Sequence, residues 1–143
     1  MSEDLATFAD DDFCFACGAR NPLGLHLTFL TAGDAFCTRV QPKPHWQGFA
    51  GVMHGGLQST IMDDLMSNHL FRLEHVWCAT AELTLRFRRP VPLDRELLFA
   101  SRIERRQGRV WLLSGTCTVA SDPASSPLTT ARGRFIEVPL PPA

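Results

Sequence analysis

The chain has 143 residues and a mass of 15.9 kDa, with 45% hydrophobic and 20% charged residues. That fits one globular domain able to bury a core and excludes an intrinsically disordered chain. A formal net charge of −1 gives no global attraction for nucleic acid, and no apolar run reaches the length of a membrane span.

The N-terminal stretch, residues 1–20, reads as a leader to a single domain, and residues 139–143 read as a tail. Met1 to Asp12 is acidic where a signal peptide would be basic and then apolar, so a cytoplasmic protein is expected. The five cysteines are odd in number and scattered, which argues for a reduced compartment and against a disulfide framework. Among them only Cys14-Phe15-Ala16-Cys17-Gly18 has the spacing of a metal knuckle. A structural zinc site needs two further ligands and no second CxxC exists. His26 and Cys37 could be recruited in principle, but the expectation is a packed or turn-forming pair and no metal.

Leu25 to Leu30 and Ala35 to Val40 read as two strands joined across Ala32-Gly33-Asp34. Pro42 and Pro44 then end strand pairing. A loop from His45 to Met53 delivers the chain to a helix predicted from about Gly55 to about Leu73. This helix is apolar on most sides, with Leu57, Ile61, Met62, Leu65, Met66, Leu70 and Phe71, and a helix of that kind is normally enclosed.

Two features of the helix carry chemistry. Gly55 and Gly56 stand at its opening turn, where unpaired N–H groups and the positive end of the dipole favour developing negative charge. The plainer reading is that they only permit a tight turn. Further along, Asp63 and Asp64 would meet low-dielectric surroundings and need a partner or a role. Adjacent helical residues diverge by about 100°, so the two cannot share one job. Spacing alone does not choose between them.

Beyond Trp77 the sequence alternates, with Ala79, Ala81, Leu83, Leu85 and Phe87 on one face of a long strand. Pro90 and Pro92 break it. Glu96 to Arg106 and Arg109 to Ala120 follow around a Gln107-Gly108 turn, and Ser121 to Pro127 is a loop before a last strand from Thr129 to Val138. The order predicts an α+β fold, a curved antiparallel sheet wrapped around one helix. So apolar a helix is hard to cover in a small domain, which calls for an oligomer interface along a sheet edge or helix side.

At this point the chain resembles the hotdog-fold thioesterases of the phenylacetate-degradation type. Three patterns carry the resemblance: Cys14-Phe15-Ala16-Cys17-Gly18 with Asn21-Pro22-Leu23-Gly24-Leu25; Gly51-Val52-Met53-His54-Gly55-Gly56 with Asp63 nine residues after the histidine; and Ala81 to Pro90. The resemblance implies hydrolysis of an acyl-coenzyme A thioester at sites built across a homodimer interface. It implies no metal and no cofactor beyond the coenzyme A of the substrate; whether two dimers join into a tetramer is left open. It selects Asp63 as general base or nucleophile. Gly56, with Gly55, would polarise the thioester oxygen, His54 would orient the loop or help fix the substrate, and Thr80 would hold the attacking water from the other subunit. Several relatives carry a polar amide six positions before the histidine, where this chain has Gly48; Gln47 or His45 would substitute. Arg86, Arg88 and Arg89, with Arg105, Arg106 and Arg109, are the candidates by charge for the coenzyme A phosphates. Met62, Met66, Leu70 and Trp77 are candidates to line an acyl tunnel.

Two other readings share this scaffold, a hydratase or dehydratase of 3-hydroxyacyl thioesters and a non-catalytic acyl-thioester binder. A serine hydrolase is not expected, because no G-x-S-x-G elbow occurs. Cys78 and Cys117 lie in strand-like apolar patterns and read as packed thiols.

Overall fold

A computed structural model describes residues 10–139; the outer leader, residues 1–9, and the end of the tail, residues 140–143, lie outside the described residues. Its elements are β1 (Leu30–Ala32), β2 (Ala35–Val40), a short 3₁₀ turn (Pro44–Trp46), α1 (Gly55–His69) closing in a π-helical turn (Leu70–Glu74), β3 (Trp77–Phe87), β4 (Leu97–Gln107), β5 (Val110–Val119) and β6 (Thr129–Val138). The strands form one antiparallel sheet in the order β1-β2-β4-β5-β6-β3, and α1 packs on one face of it. This is the α+β hotdog architecture expected.

Why the helix sits so close to the sheet is visible in the strand glycines. A Cβ at Gly115 would stand 2.8 Å from Met66 Cε, and one at Gly133 would stand 2.7 Å from Met66 Sδ. Ile61, Met62, Leu65, Met66 and Leu70 are thereby sealed against Phe99, Leu113, Cys117 and Phe135. Each large apolar side chain so enclosed contributes about 1.5–3 kcal/mol. Met62, Met66 and Leu70 are completely buried, so within one chain they are core and line no tunnel. Polar atoms in the core are paired: His69 Nδ1 meets Ser101 Oγ at 2.9 Å, and Thr129 donates to Gln58 Oε1 at 2.6 Å. Among the described residues no helix is long and apolar enough to cross a membrane.

Two local expectations are corrected. The first strand begins only at Leu30, because Leu25 and Leu27 donate instead to the carbonyls of Phe15 and Ala16, at 2.8 and 2.9 Å. The inner leader is thereby folded onto the body of the domain, with Ala16 and Leu27 buried. In β3 the simple alternation fails, since a bulge between Thr80 and Glu82 shifts the register against β6 and leaves Ala81 exposed. Phe87, grouped by alternation with Leu83 and Leu85, is 56% exposed whereas those two are half-buried.

Candidate active site

The loop before α1 is held by its own backbone. His54 N–H donates to Trp46 C=O at 2.8 Å, Met53 N–H to Val91 C=O at 2.8 Å, and Gly48 N–H to Val52 C=O at 2.9 Å. Gln47 contributes its side chain, whose Oε1 accepts from Gly51 N–H at 3.0 Å. His54 then caps the helix: its Nδ1 accepts the Gly56 N–H at 2.9 Å. In the neutral ring this places the proton on Nε2.

That cap separates the two glycines. The Gly56 amide is committed to His54, and a Cβ on Gly56 would press against the ring at 3.0 Å from Nδ1. Gly55 N–H, at the first helical position, donates to no group among the described residues. Gly55 is one of the residues lining a cleft of about 760 Å³, with Gln47, Gly48, Phe49, His54, Arg88 and Arg89 among the others. Phe49 at the rim is 87% exposed. Arg88 Nε donates to Thr130 Oγ1 at 3.3 Å and an Arg89 N–H to the Ser126 carbonyl, so both guanidiniums are anchored beside the cleft. Arg86 is exposed on β3 and does not line it.

Asp63 and Asp64 part company as adjacent helical residues must. Asp63, half-buried, accepts a hydrogen bond of 2.6 Å from Thr80 Oγ1, which reaches over from the bulge of β3. Asp64 turns the other way, where its Oδ1 accepts from Cys14 Sγ at 3.5 Å and Cys17 Sγ at 3.6 Å, and Asn68 Nδ2 donates to its Oδ2 at 3.2 Å. Burial pushes the Asp64 carboxyl above its ordinary range, with the two thiol hydrogen bonds opposing the shift. Burial, reinforced by Asp64 and Cys14, raises the Cys17 thiol well above its ordinary value. Burial also lifts Cys78 and Cys117 to about 12, which leaves them protonated at neutral pH and poor nucleophiles.

The predicted residues therefore fall into two groups. Gln47, Gly48, His54, Gly55, Arg88 and Arg89 surround the start of α1, whereas Asp63 and Thr80 meet further along it. Gly55 and Asp63 are eight positions apart, a rise of about 12 Å along the helix, so no single small group can touch both in one chain. The cluster of Cys14, Cys17, Asp64 and Asn68 was not foreseen from the sequence. The only signal there was the CxxC itself, since a contact across 47 residues of chain leaves no local pattern.

A sequence model of the thioesterase superfamily matches residues 50–118, the span from the loop before α1 to the end of β5. Acyl-coenzyme A thioesterase THEM4 of Bos taurus is 31% identical over 131 residues, covering 87% of this chain and 51% of that protein. The chain thus spans about half the length of that relative. Among solved structures, a thioesterase superfamily protein superposes with a TM-score of 0.77 at 21% identity, over 87% of this chain and 60% of that one. A phenylacetic acid degradation-related protein from Ralstonia eutropha JMP134 gives 0.67 at 19% identity, over 78% and 85%.

Proposed function

We propose that this chain, which belongs to the thioesterase superfamily, hydrolyses acyl-coenzyme A thioesters to a free acid and coenzyme A, at sites that two copies of the chain share. The observation that carries the reading is Asp63, a half-buried carboxylate held at 2.6 Å by Thr80 beside a sheet edge that no other strand covers among the described residues. A thioester carbonyl places negative charge on oxygen in its transition state, and the Gly55 amide at the capped helix start suits that charge. Asp63 acts as general base on a water or as nucleophile on the carbonyl carbon, and Thr80 fixes its orientation. His54 holds the turn that aims the Gly55 amide. Arg88 and Arg89 are the cations nearest the cleft and suit the coenzyme A phosphates. The chemistry needs no cofactor beyond the substrate's own coenzyme A.

The second copy follows from distance. With about 12 Å between oxyanion donor and base on one helix, a two-fold partner must bring its Asp63 and Thr80 to this chain's Gly55. Among the described residues β3, eleven residues long, pairs only with β6; such an edge is a template for self-pairing, and a two-fold pairing is self-complementary. The five free thiols suit a reducing compartment such as the cytoplasm.

The test is thiol release from short, medium, long and aryl-acetyl coenzyme A thioesters, comparing wild type with Asp63→Asn and with Asp122→Asn, a change in an exposed loop. Turnover lost only in Asp63→Asn is expected, a fall of about 10²- to 10⁴-fold. Undiminished turnover in Asp63→Asn would overturn the mechanism. Thioester binding without turnover in wild type would make the protein an acyl-thioester binder.

A further inference from the structure

The turn from Cys14 to Gly18 has no part in the proposed hydrolysis, yet it is built with more constraint than packing needs. Ala16 N–H donates to Cys14 Sγ at 3.3 Å, and Gly18 N–H to Cys14 C=O at 2.9 Å. A Cβ at Gly18 would lie 2.3 Å from Cys14 N, so only glycine closes the turn. The two sulfurs consequently face the same way, and both converge on one oxygen, Oδ1 of Asp64, at 3.5 and 3.6 Å. All three donor atoms lie within 4.8 Å of one another.

From this juxtaposition we propose that Cys14, Cys17 and Asp64 bind one zinc ion, which fastens the N-terminal turn to the middle of α1. Zn–S bonds of about 2.3 Å and a Zn–O bond of about 2.1 Å, set at the tetrahedral angle, place sulfur and oxygen about 3.6 Å apart. The sulfur-to-oxygen separations already have that value. Two thiolates with a carboxylate suit zinc better than magnesium or calcium, which take oxygen ligands. A fourth position is open to water through a hollow of about 240 Å³ lined by Asp10, Ser67, Phe71, Trp77 and Cys78.

Outer partners are in place as well. Asn68 Nδ2 contacts Cys17 Sγ at 3.8 Å and Asp64 Oδ2 at 3.2 Å, and its Oδ1 accepts from Arg72 Nε at 3.0 Å. Such second contacts orient ligands and offset charge. Two thiolates, a carboxylate and Zn²⁺ leave one net negative charge, which Asn68, the Ala16 amide and nearby Arg72 face. Binding releases the two thiol protons to solvent. A Cys14–Cys17 disulfide would serve Asp64 worse, because oxidation removes both S–H donors and leaves a half-buried carboxylate with two fewer partners.

The inference does not depend on the hydrolase reading, and its experiment uses no substrate. The full chain is purified reduced and without chelator, its zinc is measured by mass spectrometry, and it is then reloaded with Co²⁺ and read for thiolate-to-cobalt charge transfer. One zinc per chain and a charge-transfer band are expected. The band should vanish in Cys14→Ser and in Cys17→Ser, weaken in Asp64→Asn and persist in Cys37→Ala, with far-ultraviolet circular dichroism reporting the fold of each. Asn68→Ala, which removes no ligand, should lower zinc affinity about 10- to 100-fold. Folded, reduced protein with no zinc and no band would overturn the proposal, as would a band that survives loss of both cysteines.

Discussion

Thr80→Val tests the proposed site where its geometry is tightest. The substitution keeps a β-branched shape that β3 accommodates but deletes the hydroxyl that donates to Asp63 Oδ1 at 2.6 Å. A hydrogen bond to a charged group contributes about 1.5–3 kcal/mol. Thr80 is exposed in the single chain and Asp63 half-buried, which places this bond near the low end, about 1.5 kcal/mol, or about tenfold in rate. The loss should fall on kcat, because in the proposed mechanism the bond orients the base and holds no part of the substrate. Steady-state thiol release, with kcat and KM resolved separately, measures it. Thr80→Ser, which returns the donor, should recover most of kcat. A Thr80→Val enzyme with wild-type kcat, or a Thr80→Ser enzyme as slow as Thr80→Val, would refute the role given to this contact.

Other expectations concern the scaffold. His54→Ala removes the helix cap and should cost about 1 kcal/mol, a drop of a few degrees in Tm by thermal denaturation, with His54→Asn losing less. Gly133→Ala would drive a methyl to 2.5 Å from Phe135 Cε2 and 2.7 Å from Met66 Sδ; chemical denaturation should show a loss of about 1–3 kcal/mol. Burial lowers the pKa of His69 in the folded protein, with Glu74 opposing weakly. The unfolded chain therefore takes up a proton that the folded one resists, so this contribution to stability is present above about pH 6.5 and is lost as pH falls below it. Urea midpoints should decline through that window, and less steeply in His69→Gln.

The long elements were legible because each has a period or a punctuating residue. Thr129–Val138 was bounded by the Pro127 loop, and α1 was marked by its apolar faces and its Gly-Gly opening. What escaped depends on contacts between distant segments. The bulge at Ala81 changes which face a residue takes without changing the alternation of the sequence. Leu25 and Leu27 have strand-like neighbours but find their acceptors in the knuckle ten and eleven residues earlier. The site shows the same division. The His54-Gly55-Gly56 run told where the helix begins, but not that the imidazole would take the Gly56 amide. Nor could residue order tell that Asp64 would find two thiols while Asp63 found a hydroxyl.

That last division has a physical logic. Two neighbouring carboxylates inside a small domain repel each other and are costly to desolvate. Here a turn of helix aims one at the knuckle and the other at the uncovered strand. Asp64 is sheltered by Cys14, Cys17 and Asn68, whose side chains converge on its two oxygens. Asp63 has one neutral donor and lies next to the sheet edge where a second copy would dock, which suits a carboxylate that must meet water and substrate. If the proposed pairing of β3 holds, a single apolar helix serves both purposes. Its start supplies one site, its middle supplies the site of the partner, and the opposite side of that middle anchors the N-terminal turn. A change to the knuckle should then move zinc content first and reach turnover only through the position of α1. Loss of the Asp63 carboxylate should lower turnover by about the same 10²- to 10⁴-fold while leaving zinc untouched.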